Sequence, residues 1–188
     1  MASIAFKEWA AVCRALGDGS QSIILRKGGI AETDGEFRPE YERFYLFPTY
    51  FHERERTGLK PSAFAFAEEA ERDRPPEETI RIQLAVEVAT VHHVTDITAI
   101  RALDSFHIWS VEEIERRFHY RSPGLYVLIV RCFTFPTAID LPNLADYAGC
   151  KSWVPLAANI SLADAVPVLE ESVFRETQRA ILAALARH

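Results

Sequence analysis

Ile80-Arg81-Ile82-Gln83-Leu84-Ala85-Val86-Glu87-Val88-Ala89 is the stretch whose reading decides the architecture. Ile80, Ile82, Leu84, Val86 and Val88 alternate with Arg81, Gln83, Ala85, Glu87 and Ala89. A period of two sends alternate side chains to opposite faces of a β-strand, here with one wet or semi-polar face. Downstream, residues 125–133 are apolar on both faces except for Arg131, which predicts a central strand. Between the two, Ser110-Val111-Glu112-Glu113 forms a capping box. The Ser110 hydroxyl is expected to accept from the Glu113 amide while the Glu113 carboxylate returns to the Ser110 amide. Val111, Ile114 and Phe118 supply the inward stripe of the helix it opens. Ser152-Trp153-Val154 reads as a shorter strand, and a closing helix over about residues 172–186 packs Phe174, Ile181 and Leu185.

Upstream, Arg72-Asp73-Arg74-Pro75-Pro76-Glu77-Glu78 has the charge and proline content of an exposed loop, and Pro61 suits the first turn of a helix through Phe64, Ala67 and Glu68. Phe44-Tyr45-Leu46-Phe47 predicts a strand stopped by Pro48, preceded by a polar segment over 33–42. A short strand centres on Ile23-Ile24-Leu25, Gly28-Gly29 turns the chain, and Ile30-Ala31-Glu32 offers a hairpin return. The first residues predict a helix with Ser3 as N-cap and Phe6, Trp9, Ala10, Cys13 and Leu16 on one face, closed by Gly17-Asp18-Gly19. Regular βαβ spacing is missing. The expected fold is therefore α+β in one domain over residues 1–188: a mixed, largely antiparallel sheet, curved or closed into a pseudo-barrel, flanked by helices.

The 188 residues carry 21 Lys+Arg against 27 Asp+Glu, a net charge of −6, with 48% apolar residues. That balance excludes a disordered chain and argues against coating nucleic acid or anionic membrane by bulk charge. Three widely spaced cysteines, Cys13, Cys132 and Cys150, form no disulfide framework. With neither a signal peptide nor an apolar run of membrane-spanning length, the expected location is the cytoplasm, with no membrane partner.

No motif names a reaction. His92 and His93 are adjacent, so on a strand they face opposite ways and cannot easily share an ion; His52, His107 and the cysteines lack ligand spacing. Neither metal nor cofactor is expected. Gly-x-Ser-x-Gly is absent, and Gly17-Asp18-Gly19-Ser20 is a turn after a helix. Phosphate-loop spacing is missing at Arg26-Lys27-Gly28-Gly29, although a turn opening with two cations can still bind an anion through its backbone N–H groups. Asp/Glu-x-Lys, the tripeptide of restriction-type nucleases, occurs nowhere, leaving Glu87 as a lone strand carboxylate. Arg116, Arg117 and Arg121 concentrate charge at a helix C-terminus, where they favour the macrodipole. Tyr147, Lys151 and Trp153 place a cation between aromatics, an arrangement that stacks on a base and holds its phosphate.

Four motifs carry a resemblance: Phe6-Lys7-Glu8-Trp9, Leu25-Arg26-Lys27-Gly28-Gly29-Ile30, Phe47-Pro48-Thr49-Tyr50-x-His52 and Gly149-Cys150-Lys151-Ser152-Trp153-Val154. In this order they resemble the bacterial domain-of-unknown-function family eighteen hundred and two, over nearly the whole chain. Some members of that family are fused to Mrr-type restriction endonuclease domains, which implies a role beside restriction–modification. This chain has no room for a fused nuclease, so the resemblance implies action alone or with a separate restriction endonuclease partner. The order of elements is also loosely similar to the PUA and ASCH pseudo-barrels, which bind RNA or modified nucleotides; that is analogy of fold alone.

The leading functional expectation is a non-catalytic module recognising DNA, RNA or a nucleotide. Arg26 and Lys27 hold phosphate, Tyr50, His52 and Trp153 line a base-sized pocket, and Lys151 stands at its rim. Two alternatives stay open. One is an enzyme acting on nucleic acid or a nucleotide, with His52, Glu53 or Glu87 as acid–base group or metal ligand. The other is a structural or interaction protein, for instance a homodimer.

Overall fold

A computed structural model of the chain describes residues 3–27, 32–33, 36–37, 41–50, 57–149 and 151–187. The long alternating stretch forms β6 (Thr79–Val94), paired antiparallel with the equally long β7 (Leu125–Pro142). Around this pair the main sheet has the order β2 (Ile23–Arg26), β7, β6, β5 (Arg43–Thr49), β1 (Ile4–Trp9), β8 (Trp153–Pro155), with β9 (Val166–Pro167) added on β7. Every pairing is antiparallel except β1 with β5, so the α+β fold and the mixed, mainly antiparallel sheet are as the patterning indicates.

Two cores lie on the two faces. One gathers Phe6, Leu16, Ile23, Leu46, Trp109 and Leu128; the other gathers Ala5, Phe47, Ile80, Ile82, Phe135 and Val154. The even-numbered stripe of β6 serves both. Ile80 and Ile82 belong to the second core, Leu84 and Val86 to the first, and the ladder with β7 shifts register between Ile82 and Leu84. An irregularity of this kind bends the sheet and exchanges the faces of the residues beyond it, here as far as a second shift between Val88 and Thr90.

The helices cover the sheet. They are α1 (Ala10–Asp18), α2 (Phe64–Arg72), α3 (Ile97–Arg101), α4 (Val111–His119) and α5 (Glu171–Leu185). Pro61 opens a 3-10 turn, Pro61–Ala63, leading into α2, as its fixed φ favours. Phe174 and Ile181 are the buried residues of α5.

Several local expectations need correction. Residues 4–9 form a strand, and the helix starts only at Ala10, because β1 is claimed by β5 on one side and β8 on the other. Ser3 caps no helix; its hydroxyl accepts from the Ile160 amide. Gly19 does end α1, with φ of 82° in the left-handed region. Pro48 does not stop β5, since β6 leaves that strand after Tyr45 and one flank needs no N–H. The Gly28-Gly29 turn lies outside the described residues, as do Ile30 and Ala31. Glu32–Thr33 (β3) pairs with Glu36–Phe37 (β4) rather than along β2. Val111 faces outward at 52% exposure, leaving Ile114 and Phe118 as the buried stripe of α4.

Candidate functional site

β1 distributes its side chains strictly by parity. Phe6 and Glu8 turn inward, whereas Lys7 turns the other way, over the Phe47 ring, and donates to the Tyr147 and Gly149 carbonyls. Glu8 is only 2% exposed. A buried carboxylate is tolerated when it is paired and hydrogen-bonded. Glu8 Oε1 accepts from the Trp9 amide at 2.8 Å, and Oε2 lies 3.9 Å from Arg26 Nη1.

Arg26 ends β2 at the opposite limit of the sheet, yet it reaches β1 and the approach to β8. Its Nη2 donates to Ser152 Oγ at 2.8 Å, its Nη1 to the Lys7 carbonyl at 3.4 Å, and its guanidinium lies 4.4 Å from the Phe6 ring centre. One side chain thus bridges the two edges of the curved sheet. Burial lowers the Arg26 pKa most; Glu8 opposes the shift and Arg117 reinforces it.

Arg117 belongs to a second cation–aromatic group on α4. It lies 3.7 Å over the Trp109 ring and 5.3 Å from that of Trp9, which meets Trp109 edge-on at 4.7 Å. Its Nε donates to Glu113 Oε1 at 2.5 Å, and Arg116 donates to the same carboxylate. The Ser110 hydroxyl accepts from the Glu113 amide at 3.2 Å, but the reciprocal half of the expected box is absent. The Ser110 amide donates to the Gly58 carbonyl instead, which leaves the Glu113 carboxylate to the arginines. Gly58 allows this close approach, because a Cβ there would meet the Trp9 ring at 3.3 Å and Glu113 Cγ at 3.5 Å.

The structure brings some of the expected site residues together and separates others. Arg26 and Trp153 share one aromatic group, with the Phe6 and Trp153 rings 4.6 Å apart and Ser152 bound by Arg26. Lys151 is exposed immediately beside them. Lys27 turns away from that group. Its ammonium donates to the Phe118, Ser122 and Gly124 carbonyls, closing the end of α4 that the arginine run was expected to close. Tyr50 stands under Arg74, 4.9 Å from its ring centre, and burial raises its pKa. It lines a different cavity of about 290 Å³, shared with Arg14, Asp73 and Arg81. His52, Glu53 and Cys150 lie outside the described residues. Glu87 is held in a cross-strand ion pair with Arg43 at 3.0 Å. Among the described residues no group of three or more His, Cys, Asp or Glu side chains is placed to hold a metal.

Glu8, Trp9, Trp109, Glu113 and Arg117 were not singled out as site residues from the sequence. The available signal was Glu8 itself, a carboxylate inside the otherwise apolar run 4–9, where an ion must find a partner.

The model of a family described as "Domain of unknown function (DUF1802)" matches residues 5–180. No curated protein matches the chain. Among solved structures, the crystal structure of ASCH from Zymomonas mobilis is 11% identical, covers 96% of this chain and 94% of its own, and superposes with a TM-score of 0.49. A mutant of that protein is 9% identical with a TM-score of 0.48, covering 82% of this chain and 87% of its own. No helix among the described residues is long and apolar enough to cross a membrane.

Proposed function

The chain belongs to the DUF1802 family, and we propose that within it this protein is a non-catalytic reader of a nucleic-acid strand or nucleotide. The supporting observation is the guanidinium of Arg26, set between the sheet edges against Phe6, with a second stacked guanidinium, Arg117, close enough to depress its pKa. Two planar cations on aromatic faces suit a ligand that is itself a planar ring joined to an anion. In a chain of net charge −6 such a concentration is local, and local charge is what directs an anionic ligand to one place.

In this reading Arg26 and Lys151 meet the phosphate and Trp153 offers the stacking face. Lys27 supports it from the α4 end, and Tyr50 belongs to a different cavity. A separate restriction endonuclease partner fits the same role, since a reader without chemistry of its own needs an effector.

The test is fluorescence anisotropy with labelled single- and double-stranded DNA and RNA, and with a labelled nucleotide, between about 50 and 200 mM salt. Binding that weakens with salt, with a shallower salt slope in Lys151→Ala, supports the reading. Absence of binding to every one of these ligands at low salt overturns it.

A further inference from the structure

Strand β5 pairs with β1 as far as Thr49 but with β6 only as far as Tyr45. Where β5 and β6 part, Leu46 and Pro48 of the one and Gln83 and Leu84 of the other line the cavity of about 290 Å³. Helices α1 and α2 complete its wall, and small residues there, Ala10, Gly17 and Ala70, leave the space open. A second cavity of about 410 Å³ adjoins it, since Pro48, Tyr50 and Arg81 belong to the walls of both. Together the two reach the size of clefts that hold small molecules.

The residues at the junction are held in place. Asp140 accepts from Arg81 Nε and Nη2, both at 2.7 Å, and the Arg74 guanidinium lies 4.9 Å from the Tyr50 ring centre. On the two sides of Tyr50 charge is distributed unequally. The first cavity sets Arg14 and Arg81 against Asp18, Glu69 and Asp73, whereas the second sets Arg74 and Arg81 against Glu77 alone. Asp73 is taken by Arg14 at 2.9 Å, which leaves Asp18 and Glu69 as the excess of the first cavity. The acid partners of Arg74 and Arg81, Glu71 and Asp140, belong to neither wall. The arginines are within reach of a ligand, because Arg14, Arg74 and Arg81 keep side-chain exposures of 27, 29 and 32%.

We propose that the two cavities form one site for a dipolar small molecule, an amino-acid-like chain that passes Tyr50 with its ammonium at Glu69 and its carboxylate on Arg74 and Arg81. A guanidinium has five N–H donors, and the bond to Asp140 leaves the Nη1 donors of Arg81 for a second carboxylate. The dipolar character follows from the unequal walls. An anion without a cationic end leaves the acids of the first cavity unmatched, and a cation without an anionic end does the same to the arginines of the second.

The test is a two-dimensional NMR titration of the full chain with 4-aminobutyrate, 6-aminohexanoate and 8-aminooctanoate, which differ in the separation of their charges, and with hexanoate and hexylamine, which each carry one. The side-chain amides of Gln83 and Asn143 report on the first and second cavity respectively. The expected result is that one amino acid of the series shifts both amides saturably, with hexanoate and hexylamine needing at least about ten-fold more ligand. Glu69→Gln should raise the concentration of that amino acid needed by about ten-fold and leave hexanoate unchanged. If no amino acid of the series moves both amides, the cavities are not one site. If hexanoate or hexylamine matches the best of them, or if Glu69→Gln binds it as well as wild type, the site does not recognise a dipole. Each of these outcomes overturns the proposal, and none bears on nucleic-acid binding by the Arg26 group.

Discussion

Arg117 lies over Trp109, its guanidinium carbon 3.7 Å from the ring centre, and is held there by Glu113. Because Arg116 also donates to Glu113, loss of Arg117 would not strand the carboxylate. Arg117→Ala therefore removes the stacking and one of the arginine contacts to Glu113 without leaving that carboxylate unpaired. A desolvated cation–aromatic contact is worth up to about 2 kcal/mol, so a destabilisation of roughly 1–2 kcal/mol is expected, with Arg117→Lys losing about half of that. Urea unfolding followed by tryptophan fluorescence measures both; unchanged midpoints would show that the contact contributes nothing.

Glu8 and Arg26 are buried partners, and removing one leaves the other exposed to the full cost of its burial. Glu8→Gln is expected to destabilise the fold by about 2–4 kcal/mol, below the upper range for buried pairs because Arg26 keeps Ser152 and the Lys7 carbonyl. Combining it with Arg26→Gln should cost less than the sum of the two single changes. Strict additivity in that double-mutant cycle would mean that the 3.9 Å pair carries no coupling.

His107 sets a pH dependence with a definite sign. Burial lowers its pKa from 6.5 to about 4, so above 6.5 both folded and unfolded chains hold it neutral. Between 6.5 and 4 the unfolded chain binds a proton that the folded chain refuses, and stability falls by roughly 3 kcal/mol on acidification. The Asp140 carboxyl, held below its usual range first by its hydrogen bond from Arg81, loses its contribution only as pH falls below the ordinary aspartate value of 3.8. The two windows are separate. Urea midpoints taken from pH 7.5 to 4 should decline in wild type and flatten in His107→Gln; parallel curves would remove His107 as the cause.

Burial pushes the Cys132 thiol up to about 12 and leaves it 7% exposed. Alkylation mapped by mass spectrometry should therefore find Cys132 unmodified in the native protein at pH 8 and modified in denaturant, since the thiolate is the reactive form. Native labelling of Cys132 at a rate near that of a free thiol would contradict its burial.

What the sequence disclosed follows from the range of the interactions involved. The strand through Ile80–Val88 was legible because a period of two is a local signal, but the shift that moves the stripe from one core to the other depends on β7, more than forty residues away, and left no local trace. Residues 4–9 satisfied a helical spacing continuous with α1, and only their pairing with β5 and β8 makes them a strand. The Ser110 cap was read from neighbours three residues apart, whereas the diversion of Glu113 to Arg116 and Arg117 requires Gly58 to occupy the Ser110 amide. The site followed the same rule. Arg26 and Trp153 were picked out as candidates by residue type, while the contacts of Glu8, Trp109 and Arg117 form only where distant segments meet.

The link between Arg26 and Ser152 gives the curved sheet an unusual seam. β2 is paired only with β7, and β8 only with β1, so among the described residues no backbone ladder joins the two edges. A barrel closed by a ladder opens only by surrendering a row of peptide hydrogen bonds. Here the edges are fastened by a side chain, so a ligand that competes for the Arg26 guanidinium also competes for the fastening. On the proposed reading, occupancy of the Arg26 group and the gape of the sheet are one variable, and ligand binding should be readable as amide exchange at residues 152–154.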